Sequence, residues 1–293
     1  MNQIINSRMS VEAPKYTLVI EPKTGLLDIN FKELWRYRDL LFLFVRRDFV
    51  AVYKQTIFGP LWFFIQPILT TIMFMVVFGG IAKMSTDGIP KAVFYLAGIV
   101  SWNYFAEALK ATSETFSANA NIFGKVYFPR VITPLSIVIS KLLTFFVQFT
   151  LFLLVYFYYN FFTDADLQAN LALLLLPVLI LITAGLAFGM GLLVTALTSK
   201  YRDFRFLINF AIQLAMYATP IIYPLSTIEN PKLKMLILAN PMSSIIETFR
   251  YSFTGVGDIN FTALGYSFVF MLVLMILGVL TFNKVEKTFM DTV

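Results

Sequence analysis

The chain has no cysteine and no histidine among its 293 residues. Lacking thiols, it can form no disulfide, thiolate metal site or cysteine nucleophile; lacking imidazole, it can form no His-based triad or His metal site. Charge is also scarce, with Asp, Glu, Lys and Arg together making 14% of the residues. A Walker-type phosphate loop is missing: Gly124-Lys125 runs into Val126, and Asn119 stands where the earlier glycine would be. The chain is therefore not expected to hydrolyse ATP by itself. Glu107, Glu114, Asp203 and Glu247 stand singly near apolar segments, so they offer no acid/base pair and no ligand set, and each reads as a span-end or loop carboxylate. Neither a metal nor a cofactor is expected in this chain.

What is abundant is apolar surface. Hydrophobic residues make 58% of the chain and the mean hydropathy is +0.76, far beyond a soluble domain. Apolar windows able to cross about 30 Å of hydrocarbon, roughly 20 helical residues, fall near 58–82, 92–109, 133–160, 171–197, 206–223 and 261–282. The second and fifth are short and partly polar. The fold class is all-α, a polytopic membrane protein of six transmembrane helices. Residues 1–57 form an N-terminal segment ahead of a membrane domain over 58–293, and they show no removable signal peptide.

Six crossings place both termini on one side. Of the 23 Lys and Arg, roughly 18 fall on the terminal side and 5 opposite, a bias that predicts cytoplasmic termini. The net charge of +6 follows this distribution between spans, so no nucleic acid partner is implied.

Asn30 followed by Glu33 has the spacing of a capping box, which predicts a helix start. Phe31, Leu34, Trp35, Leu41, Phe42 and Val45 then recur at helical spacing opposite Lys32, Glu33, Arg36 and Asp39, predicting an amphipathic interfacial helix. An anchor and a gate both fit it. Arg46, Arg47, Asp48, Tyr53 and Lys54 hold headgroup depth before the Phe58-Gly59-Pro60 corner that enters the first span. Between the second and third spans, Ile122, Phe123, Val126 and Tyr127 make a small apolar face that suits either a partner protein or packing on the chain's own spans. The proline-rich 220–260 segment holds apolar stretches too short to cross, which suits re-entrant helices or a surface-lying pair.

Aromatic residues reach 17%. Ring faces stack on the CH surfaces of sugars, so Phe63, Phe64, Tyr95, Trp102, Tyr104, Phe105, Phe210 and Tyr217 are candidates for lining a polysaccharide conduit, with lipid or core packing as the alternative for each.

Five segments, RRDFVAVYKQTIFGPLWFFIQP, VYFPRVITPLS, SKYRDFR, TPIIYP and NPMSSIIETFR, together resemble the membrane subunit of type-2 ATP-binding-cassette (ABC) exporters, in the O-antigen, capsule and teichoic-acid polysaccharide branch. They occur in family order over nearly the whole chain. Val52 is a departure, standing where the family commonly has arginine before Tyr-Lys. The resemblance implies a homodimer in the bacterial inner membrane with two copies of a separate cytoplasmic ATPase that holds ATP and Mg. It implies a coupling helix to that ATPase over Asn121, Ile122, Phe123, Gly124, Lys125, Val126, Tyr127 and Phe128. It implies a gate helix with Phe31, Leu34, Trp35, Arg38, Leu41, Phe42 and Val45, a conduit lined by the first and fifth spans, and a periplasmic re-entrant hairpin over 220–255. The implied substrate is a polysaccharide on a polyprenyl-diphosphate carrier, whose diphosphate Arg46, Arg47 and Lys54 are placed to attract, although positive-inside anchoring accounts for the same residues. A drug or small-lipid exporter would share these motifs.

Overall fold

The computed structural model describes residues 31–54, 56–126, 128–163, 165–201 and 203–289. Asn30 of the expected capping box and Tyr127 of the expected coupling segment lie outside them. Among the described residues every regular element is helical: α1 (Phe31–Arg36), α2 (Arg38–Tyr53), α3 (Trp62–Phe74), α4 (Lys91–Ser113), α5 (Thr115–Phe123), α6 (Ile132–Phe162), α7 (Leu176–Lys200), α8 (Phe204–Tyr217), α9 (Pro231–Leu238), α10 (Pro241–Thr254) and α11 (Phe261–Phe289).

Among the described residues five stretches are long and apolar enough to cross a membrane: Gly59–Ile81, Lys91–Ser113, Ile132–Phe162, Leu171–Ser199 and Phe261–Val285. The expected sixth, at 206–223, is not among them and holds a shorter apolar helix. Its helix α8 has 14 residues, about 21 Å at 1.5 Å per residue, short of the ~30 Å hydrocarbon. It stops at Tyr217 because Pro220 follows closely and cannot continue a helix.

At the first span the Phe-Gly-Pro corner is a single turn. Gly59 takes φ +53, where a side chain would be strained, and Pro60 then opens the 3-10 turn leading into α3. The span closes in a π-helical turn, Met75–Ile81, whose Gly79 carbonyl accepts from Lys91 Nζ at 2.6 Å.

α4 is the centre of the bundle, packed on α3, α6, α7 and α10. It is the least apolar of the five spans and yet 78% buried, against 22–39% for the others. Protein and not lipid is its solvent, so Ser101, Asn103 and Glu107 are tolerated where they find partners. α7 and α11 cross with backbones touching: a Cβ on Gly278 would stand 2.5 Å from the Gly189 carbonyl oxygen, and one on Gly189 would meet Leu274 and Met275 backbone at 2.7 Å. Gly191 likewise lets α7 approach Thr112 of α4.

The expected continuous helix over Phe31–Val45 is broken at Tyr37. Hydrogen bonds from Tyr37 to Glu33 and from Leu41 to Tyr37 keep the helical phase across the break, so one inner face runs through Leu34, Tyr37, Leu41, Phe44 and Val45, while Trp35 and Phe42 stay 71% and 66% exposed. Phe44 is held by an edge contact with Phe128 at 5.6 Å. Asparagine caps start α9 and α10: the Asn230 side chain accepts from the Lys232 and Leu233 amides, and that of Asn240 from the Met242 amide. α10 is buried against α4, α7 and α11.

Candidate functional site

The chemistry-bearing side chains gather where α2, α4, α5 and α6 meet. α4 ends at Ser113 and the chain turns at Glu114 into α5. The carbonyls that α4 leaves without helical partners are taken by α7: Thr195 Oγ1 donates to the Thr112 carbonyl at 2.6 Å and Thr198 Oγ1 to the Ser113 carbonyl at 2.5 Å. α5 is then fixed to α11 through Phe116, stacked on Phe282 at 4.9 Å between centroids. Phe123 closes edge-on against Phe116 at 5.8 Å.

The helix between the second and third long spans runs over Thr115–Phe123, so the expected coupling window, Asn121–Phe128, holds only its last turn. Gly124 and Lys125 form a turn beyond it, and Phe128 is buried. The apolar face is divided as well: Phe123 packs on the chain's own spans, Ile122 is half-buried, and Val126 is 58% exposed. Ser117, Asn121, Gly124, Lys125 and Val126 make the outer edge.

α2 reaches this junction through Arg47. Its Nη2 donates to Asn119 Oδ1 on α5 at 3.2 Å, its Nε to Asp48 Oδ1 at 2.8 Å, and its guanidinium lies over the Phe44 ring at 4.6 Å. On the α4–α6 side Lys141 pairs with Glu107 at 3.0 Å. Between them lies a cavity of about 350 Å³ walled by Arg47, Asp48, Glu114, Asn119 and Lys141. The three expected diphosphate cations are all exposed, and of these Arg47 is engaged with Asp48 and Asn119.

Among the candidate aromatics, Phe63, Tyr95, Trp102, Tyr104 and Phe105 are buried within the chain's own core, at 6% exposure or less, which is the core-packing alternative for these five. Phe63 stacks on Phe49 at 5.3 Å, and Tyr104 packs on Phe145 at 5.4 Å. Phe64 is half-buried, and Phe210 and Tyr217 are exposed on α8.

At the other end of α4 is a cluster that composition alone did not disclose. Arg250 of α10 is 2% exposed. It donates from Nη1 to Glu247 Oε1 at 3.0 Å and from Nη2 to the Pro220 carbonyl at 2.8 Å. Burial pushes the Glu247 carboxyl above its ordinary range, against the lowering influence of Arg250. Ser226 donates to Asp87, whose charge also acts on this pair. The Glu247-Arg250 spacing, i to i+3 on one helix face, was the available signal. Asn119 and Glu114 gave none, because their roles depend on where α5 turns.

With this geometry established, residues 39–254 match the family model described as ABC-2 type transporter. Three curated relatives carry the name O-antigen export system permease protein RfbA. One, from Myxococcus xanthus, is 27% identical over 76% of this chain and 83% of its own length. The other two, both from Klebsiella pneumoniae, are 28% and 27% identical, each over 86% of this chain and 94% of their own length.

Proposed function

The chain belongs to the ABC-2 type transporter family, and from that premise we infer that it is the membrane permease of an exporter that moves lipid-linked polysaccharide of the O-antigen type, driven by a separate ATPase. The observation that carries this is the similarity to O-antigen export permeases over more than three quarters of the chain. The absence of a Walker-type loop from the sequence assigns ATP and Mg to the partner.

In this reading two copies of the chain sit in the inner membrane with cytoplasmic termini and two ATPase subunits below. Residues 1–57 are the cytoplasmic segment ending in the interfacial gate formed by α1 and α2, and 58–293 the membrane domain. A sixth crossing is made by α8 together with the non-helical stretch after it. α9 and α10 form the periplasmic hairpin. α5 receives the ATPase, and its ties to α7 and α11 move that unit as one body when the ATPase dimer closes. Phe64, Phe210 and Tyr217 face the conduit, and Arg46 and Lys54 meet the polyprenyl diphosphate at headgroup depth.

Reconstitution with the cognate ATPase tests the reading. ATP turnover should rise with polyprenyl-diphosphate glycan and remain basal with glycan-free carrier. Stimulation by small amphiphiles alone would instead identify a drug or small-lipid exporter.

A further inference from the structure

We propose that the cavity between α2, α5 and α6 receives one basic side chain, arginine or lysine, of the ATPase that docks on α5, with Glu114 and Asp48 as its acceptors. This rests on the reading above that a separate ATPase engages α5.

The argument is one of charge. The cavity's two cations are already committed: Arg47 to Asp48 and Asn119, and Lys141 to Glu107. Its carboxylates keep acceptor capacity beyond these pairs. Asp48 Oδ2 is buried without a donor. The Glu114 carboxylate, on a half-buried residue, has no ion pair or side-chain hydrogen bond among the described residues. The lining carries Arg47 and Lys141 against Asp48 and Glu114, and with Arg47 held by Asp48 and Lys141 drawn off to Glu107, Glu114 is the lining carboxylate without an ion-pair partner, which repels a phosphate and attracts a guanidinium or ammonium. A shielded carboxylate oxygen without a donor also favours whatever brings one. At about 350 Å³ the cavity has room for such a head with water beside it.

Position selects the source of the cation. Ala118, Asn119 and Ile122 of α5 form one wall, and Arg47 and Asp48 of α2 another. A side chain from a protein seated on α5 enters without crossing lipid. Once in place it joins α5 to α2, so movement of the ATPase reaches both helices together.

The test measures the affinity of the cognate ATPase for the full permease in lipid nanodiscs, with three variants. Glu114→Gln and the Asp48→Asn/Glu114→Gln pair should weaken association by about 10-fold and more than 10-fold respectively. Ala118→Arg, an exposed position, supplies an internal guanidinium to the same acceptors. It should weaken association by about 10-fold while leaving the permease's thermal midpoint unchanged, which a purely structural role for Glu114 would not produce. Recovery of affinity when Glu114→Lys is combined with an Arg→Glu or Lys→Glu change on the ATPase identifies the entering residue.

Affinity within roughly twofold of wild type in both Glu114→Gln and Ala118→Arg overturns the proposal. So does a result in which ATPase affinity holds but Glu114→Gln abolishes stabilisation by phosphatidylethanolamine relative to phosphatidylglycerol, since a lipid ammonium is then the occupant. The wild-type arm separates the underlying reading: if the unmodified permease binds no ATPase, that reading fails, and this proposal with it.

Discussion

The Arg250 guanidinium lies 3.7 Å from the centre of the Phe94 ring, so a buried cation on α10 is seated on the aromatic face of the central helix. The same group holds the Pro220 carbonyl, just past the end of α8. α8 has no fully buried residue of its own, so this contact fixes one end of a helix that is otherwise loosely held.

Replacing Arg250 with Met should therefore destabilise the protein by about 3–5 kcal/mol, because Glu247 is left buried without its cation and Pro220 without its donor. Arg250→Lys should recover only part, since a point charge cannot span both acceptors and stack on Phe94. The paired change Glu247→Leu/Arg250→Met should be more stable than Arg250→Met alone. Thermal unfolding in nanodiscs ranks the variants, and equal midpoints for wild type and Arg250→Met would refute the latch.

Two glycines on α11 make opposite predictions. Gly278→Ala forces α7 and α11 apart at the Gly189 carbonyl and should cost about 1–3 kcal/mol or more. Gly265→Ala meets nothing within 4 Å and should be neutral or gain up to about 1 kcal/mol from helix propensity. The same unfolding measurement checks both.

Much of this fold was legible because crossing a bilayer demands length. Four of the five long spans begin and end within a few residues of their apolar windows, and α4 runs on past its window from 109 to Ser113. The polar residues that shorten it in sequence have partners in the fold, Asn103 with Gln148 and Glu107 with Lys141. The start of α5 was not legible: it is set by Thr195 and Thr198, some eighty residues away. Composition likewise could not say which aromatics are buried. Trp102 and Tyr217 look alike in sequence, but one sits on the central helix and the other on α8, which has no fully buried residue.

That difference divides the aromatic substitutions. Tyr104→Ala and Phe105→Ala should cost about 3–5 kcal/mol through lost packing. Phe210→Ala and Tyr217→Ala should stay within about 0.5 kcal/mol of wild type and yet slow polysaccharide export. Measuring unfolding and export on the same preparations separates the groups. Unchanged export in the Phe210/Tyr217 double variant would remove α8 from the conduit wall.

The hydroxyl ties between α7 and the end of α4, where the chain turns into α5, should matter more for coupling than for stability. Thr198→Val keeps the shape of the side chain but removes the donor to the Ser113 carbonyl, while Thr112 retains Thr115 as a second donor. The change should cost about 1–3 kcal/mol, the range for one buried acceptor left unsatisfied. Its larger consequence should be local: α5 remains stacked on Phe282 but gains freedom at its first turn, so amide exchange over 115–119 should accelerate while α7 and α11 stay protected. ATPase closure would then be spent in bending the α4–α5 junction, and the amount exported per ATP should fall with ATPase binding intact. Exchange identical to wild type would show that Phe116 and Phe123 hold α5 without the hydroxyls.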